Sequence, residues 1–289
     1  MRKLSTSIKI YIVLILTLGV SNAIQVLLPS YQSLIPSTAE LPAPIPVLAL
    51  ANFGIAIFIY GGLGLAGLTL ARKVGFPEIW DEKVSNRQRF LAPAIIGALG
   101  GTFLIIADLI FSRFNGIGRF THPAFPGSIF ASLSAGIGEE LLFRLFLIPL
   151  WMWLISRVML KKTAHKEVQS RLNRDWRGSS RLVGTVSPTT SPLKGEGRGE
   201  GDGKLNTAFW ISNIVSAIAF GAGHFPALML ISGFKSFGDI PPVLIFEVIL
   251  LNGVISILAA YYMRKWGFLA AAGIHFWTDI VWHVVWGLF

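Results

Sequence analysis

Apolar positions run along this chain in long blocks separated by short polar interruptions, the pattern of membrane spans and not of alternating strands. The first block extends from about Ile10 to Leu28, behind Arg2, Lys3 and Lys9. Val20-Ser21-Asn22-Ala23 fits a signal-peptidase site, but the apolar run continues past it, which favours an uncleaved first span. Five prolines between 29 and 46 argue against a helix there. The second span covers about Val47–Leu70, where Gly61, Gly62, Gly64 and Gly67 permit close helix approach. Pro77–Arg89 mixes charges with Ile79, Trp80 and Val84, which predicts a helix lying at the membrane interface.

The third span covers about Leu91–Phe111, with Gly97 and Gly101 at GxxxG spacing and Asp108 as an interfacial cap or partner of Arg113. His122 falls in the following loop and is expected to be solvated. The fourth helix, about Ser128–Leu160, is longer than a bilayer core requires, and Pro149 is placed to kink it. Residues 163–206 are rich in Gly, Ser, Pro and charge and are expected to be a disordered cytoplasmic insert. A fifth span over about Thr207–Ala222 leads to a short broken or re-entrant piece, Ala227–Ile231. The sixth covers about Pro242–Met263, with Glu247 placed near the interface, and the last covers about Phe268–Leu288.

The expected fold is therefore all-α, a polytopic transmembrane helix bundle of seven to eight spans. It divides into N-terminal spans with an interfacial helix over 1–89, and a core over 90–289 interrupted by the insert. Charge changes the picture in one respect. The net charge of +10 would suit a nucleic-acid binder, but half of the excess lies between Lys161 and Lys204, with ten Lys/Arg against five Asp/Glu and no aromatic interleaving. It reads instead as basic loops on the cytoplasmic side of a membrane, with the N-terminus inside and no nucleic-acid partner. The absence of cysteine excludes a thiol nucleophile, thiolate metal sites and disulfides.

Ionisable residues inside the spans carry the candidate chemistry, because each costs about 2.5–3.5 kcal/mol near the bilayer centre on insertion scales. Glu139, Glu140 and Arg144 lie within six positions of the fourth helix. Glu140 and Arg144 are four apart and can pair, while Glu139 is turned about 100° away and stays free to act as base or acid. Phe220 and His224 are one turn apart on the fifth span; His275, Asp279 and His283 follow at one-turn intervals on the last. Two imidazoles and a carboxylate can hold Zn²⁺ with an open water position, or activate water without metal. Hydrolysis of an acyl compound is the expected chemistry. A proton- or ion-coupled transporter is the rival from another class.

Glu139-Glu140-xxx-Arg144, Phe220-xxx-His224 and His275-xxx-Asp279, in this order on late spans, resemble the three motifs of the CPBP family of CAAX proteases and bacteriocin-processing enzymes. The resemblance covers roughly 90–289 and implies an intramembrane endopeptidase of a bacterial plasma membrane, acting on a peptide or protein, lipidated or not, among membrane lipids. It implies Glu139 as general base and His224 as sharing its water, with His275 and Asp279 supporting an oxyanion. Glu140 and Arg144 would orient Glu139, and Phe220 would pack beneath His224. A Zn²⁺ on His224, His275 and Glu139 and a metal-free glutamate mechanism are both compatible with it, as is a catalytically idle immunity or scaffold protein. Two positions depart from the family: Leu145 stands where glycine is frequent, and Asp279 where Asn is common, so Asp279 either is protonated or orients a histidine. Loss of His283 is expected to be mild.

Overall fold

A computed structural model describes residues 4–29, 41–157 and 196–289, with side chains of 196–202 excepted. The described residues form helices and no strand. Six helices are long and apolar enough to cross a membrane: α1 (Thr6–Leu27), α2 (Ile45–Lys73), α3 (Arg87–Phe111), the pair α5 (Glu196–Ala222) and α6 (Phe225–Ser232) counted as one span, α7 (Pro242–Trp266) and α8 (Phe268–Leu288). The motif-bearing helix α4 (127–157) is the seventh long helix. The polytopic all-α bundle expected from the hydropathy blocks is the observed fold.

Packing is set by small residues where helices touch. On α3, a Cβ at Gly101 would lie 2.6 Å from the Thr278 carbonyl oxygen and 2.6 Å from Val281 Cβ, so the GxxxG face is the surface that receives α8. On α2, a Cβ at Gly67 would lie 2.5 Å from the Leu145 carbonyl oxygen. Leu145 thus occupies a position where glycine is common because the glycine comes from the neighbouring helix. α4 is π-helical over Ala135–Leu147, ahead of Pro149, which lacks the N–H that would close a turn on Leu145. Further π-helical turns occur at Ala56–Tyr60 in α2 and Ile280–Val285 in α8.

Several expectations are corrected. Residues 76–85 are turns and extended chain, not an interfacial helix. Their polar groups are tied elsewhere: Ser7 Oγ donates to Glu78 at 2.8 Å, and Arg89 lies 3.8 Å over the Trp80 ring while donating to the Asp81 carbonyl. Residues 196–206 of the insert are helical, because α5 propagates upstream of Thr207 at one hydrogen bond per added residue. Residues 158–195, and with them the rest of the expected disorder, lie outside the described residues. So do 30–40 of the Pro-rich connection, and α2 begins before its last proline, at Ile45.

Asp108 and Glu247, expected near interfaces, are both fully buried. Asp108 accepts from the Phe120 N–H at 3.2 Å and Glu247 from the Asn115 amide at 2.8 Å, so both serve to hold the 112–126 connection against the bundle. His122 is half-buried rather than solvated. Its Nδ1 lies 3.1 Å from Nδ1 of His283, and its ring packs edge-on against Trp282.

The tightest glycine contacts give a direct test. Gly101→Val should lower stability in detergent by about 1–3 kcal/mol through overpacking against α8, read by thermal unfolding. Gly62→Ala adds a Cβ that meets nothing within 4 Å and should leave the same transition unchanged.

Candidate active site

The acidic motif sits in the π-helical part of α4, where Glu140 and Arg144 turn into the bundle and are completely buried. Arg144 Nη1 lies 3.3 Å from Glu140 Oε1. The same carboxylate oxygen is 2.8 Å from His275 Nδ1 on α8. A carboxylate only accepts, so Nδ1 carries the proton in this contact and Nε2 is turned to the other side of the ring. There it stands 3.9 Å from Glu139 Oε2 and 3.6 Å from Asp279 Oδ2. Neither spacing is a direct hydrogen bond.

Four of the expected residues, Glu139, Glu140, His275 and Asp279, therefore meet around one imidazole. With Glu140 beside His275, α4 runs on toward Arg157, roughly 15 Å beyond the start of α8 at 1.5 Å per residue.

Phe220 supplies the second junction. Its fully buried ring has the Arg144 guanidinium 4.0 Å from its centroid, Phe143 edge-on at 5.2 Å, His224 at 4.9 Å and His275 at 5.6 Å. The guanidinium sits over a π face, a favourable placement for a desolvated cation. Phe220 thus packs under His224 as the resemblance implied, and under His275 as well. His224 lies at the break between α5 and α6, its Nδ1 2.8 Å from the Phe220 carbonyl oxygen. A carbonyl accepts, so this histidine too is held with Nδ1 protonated and Nε2 free.

Glu139 differs from its neighbour: about a third of its side chain is exposed, where that of Glu140 is fully buried. It lines a cavity of about 330 Å³ together with Asp279, His283, Gly138 and Ser134, and with Leu18, Asn22, Gln25 and Tyr60 from α1 and α2. His283 is thus a wall of the same cavity and not a bystander. Its partner His122 lies in the connection outside the spans. Burial, and after it the charge of Arg119, hold the His122 imidazole below its ordinary value, which keeps it neutral.

Among the described residues no group of three His, Cys, Asp or Glu side chains stands at metal-binding spacing. Tetrahedral ligands at 2.0–2.1 Å from zinc would lie roughly 3.4 Å apart. The 3.9 Å between Glu139 Oε2 and His275 Nε2 is wider than that spacing, while the Glu140 contact at Nδ1 leaves Nε2 turned outward, as it is in histidines that ligate metals.

The far wall was not read from the sequence. Ser21, Asn22 and Gln25 interrupt the apolar run of α1 on one face, a signal that was present but was absorbed by the resemblance to a cleavage site. Tyr60 carries no signal of its own within an apolar span.

No curated protein and no solved structure matched the chain. Residues 121–281, more than half of the chain and the stretch holding all three motifs, match the family described as type II CAAX prenyl endopeptidase Rce1-like, and the chain belongs to that family.

Proposed function

We propose that this protein is an intramembrane endopeptidase that hydrolyses a peptide bond with a water activated by Glu139. The observation that carries the reading is the Glu140–His275 contact at 2.8 Å, which turns His275 Nε2 toward Glu139 at 3.9 Å inside a polar cavity within a membrane bundle. Glu139 takes a proton from the water as its oxygen adds to the scissile carbonyl carbon. His275 Nε2, in the imidazolium form, donates to the resulting oxyanion, and Asp279 holds that ring from the next turn. His224 Nε2 offers a second contact to the water or the oxyanion. Glu139 then returns the proton to the departing nitrogen, the C–N bond breaks, and an acid and an amine are released. Each step uses side chains alone. The family's description makes a membrane-delivered peptide with a lipidated C-terminal tail the first substrate to try.

The test is cleavage of a quenched-fluorescent peptide, with a farnesylated cysteine three residues from its C-terminus, by purified protein in nanodiscs. Glu139→Gln should lower kcat by about 10²–10⁴-fold, the usual contribution of a general base, with the melting transition intact. Retained turnover would overturn the assignment, and ion-dependent uptake into vesicles would favour a transporter. Arg144→Ala should behave differently. It strands the Glu140 charge in the core, so stability itself should fall by about 3–5 kcal/mol in thermal unfolding. Treatment with 1,10-phenanthroline should leave the cleavage rate unchanged; a loss that added Zn²⁺ restores would demand a metal.

A further inference from the structure

The cavity has two chemically different walls. One carries Glu139 and Asp279; the other is built by α1 and α2, which lie outside the matched stretch 121–281. Leu18, Asn22 and Gln25 face inward from α1 at one-turn intervals, and Tyr60 closes the wall from α2. The Tyr60 ring lies against the glycine that precedes the base: a Cβ at Gly138 would be 3.4 Å from Tyr60 Cε1 and 3.2 Å from Leu18 Cδ1.

The polar groups of this wall are not equivalent. Gln25 is locked, its Nε2 donating to Ser134 Oγ at 2.7 Å and to the Phe130 carbonyl at 3.2 Å. Ser134 passes its own proton to Ser21 Oγ at 3.0 Å, and Ser21 donates to the Phe130 carbonyl at 2.9 Å. This network fixes α1 against α4. Asn22, between Ser21 and Gln25 in the cavity wall, has no hydrogen-bond partner among the described residues, and neither has the Tyr60 hydroxyl.

We infer that Asn22 is a binding residue for the main chain of the peptide substrate, a conclusion that rests on the endopeptidase reading. A peptide bond is attacked only when the chain around it is extended, so a substrate inside the bundle has given up its helical hydrogen bonds. Its freed N–H and C=O groups have to be met by protein or water. A primary amide presents one acceptor and two donors, the complement of those two groups, and the Asn22 amide is uncommitted. Glu139 on the facing wall, with the buried His275 behind it, is engaged with the reacting atoms. Asn22 therefore holds the strand that the chemical wall cuts, and Gln25 keeps α1 in position.

The experiment has two arms. In the first, cleavage of the farnesylated peptide is followed in nanodiscs. Asn22→Leu suits an apolar span and should raise KM about tenfold, as expected for one lost hydrogen bond of ordinary strength, with kcat within about twofold. The second arm is independent of turnover and exploits a chain without cysteine. In the Glu139→Gln background, Asn22→Cys and Leu4→Cys are each labelled with a maleimide, Leu4 being exposed at the start of the chain. The uncleaved peptide should slow labelling at position 22 at least fivefold and leave position 4 unaffected. Protection at 22 in a protein that does not cut this peptide supports the binding wall while removing the proposed reaction. Unprotected labelling at 22 overturns the inference whether or not the peptide is cleaved, and where it is cleaved an unchanged KM does so as well.

Discussion

The site hangs on one buried carboxylate. Glu140 has no access to solvent and shares a single oxygen between a guanidinium at 3.3 Å and an imidazole nitrogen at 2.8 Å. An isolated ion in that position would be far too costly to bury, so α4 and α8 are constrained to whatever arrangement keeps all three groups in contact. The same contact fixes the ring of His275 and the direction of its second nitrogen. A structural requirement of the membrane interior and a requirement of the chemistry are thus met by one interaction. Glu139, one residue earlier, is released from that duty and left in the cavity.

Phe220 explains how a third helix joins without adding another charge. Its ring is the common surface for Arg144, His224 and His275. An aromatic face accepts a desolvated cation on one side and imidazole edges around it, which lets the polar cluster terminate in hydrocarbon rather than in further polar groups. Three of the four π-helical segments among the described residues fit the same picture; the fourth, Arg87–Leu91 at the start of α3, does not line the cavity. Ala135–Leu147, Ala56–Tyr60 and Ile280–Val285 each bring a cavity residue to the site: Glu139, Tyr60 and His283 respectively. A wider helical turn shifts the register of side chains locally while keeping backbone groups paired, and such turns recur at functional positions.

Much of this was legible in the sequence because lipid makes errors expensive. The apolar blocks gave the helices, since only a helix satisfies its own backbone there, and apart from the upstream extension of α5 to Glu196 their ends were displaced by only a few residues. The spacing of Glu140 and Arg144 gave their pairing, and Gly97 and Gly101 gave the surface that receives α8. What could not be read depends on which helix lies beside which. His122 meets His283 across most of the core, and Asp108 and Glu247 are buried by a connection whose folding has no periodic signature. The stretch 76–85 misled for a related reason. Its mixture of charges and Trp80 suits an interfacial helix equally well, and only contacts with Ser7 and Arg89 decide otherwise.

The division of the cavity has a consequence for how such a site selects its substrate. On the proposed reading, bond cleavage needs a base, a polarised carbonyl and a proton donor, and these would come from α4 and α8 within the family's matched stretch. Holding one peptide rather than another needs only shape and hydrogen-bond complementarity, which α1 and α2, lining the cavity from outside that stretch, would supply. The Ser21–Ser134–Gln25 network ties the two halves together, so the selecting wall is held to the helix that carries Glu139 and does not ride on a mobile connection. Interactions on that wall touch the substrate equally before and during bond cleavage. They can therefore vary without disturbing the charge balance around Glu140, on which the catalytic geometry depends.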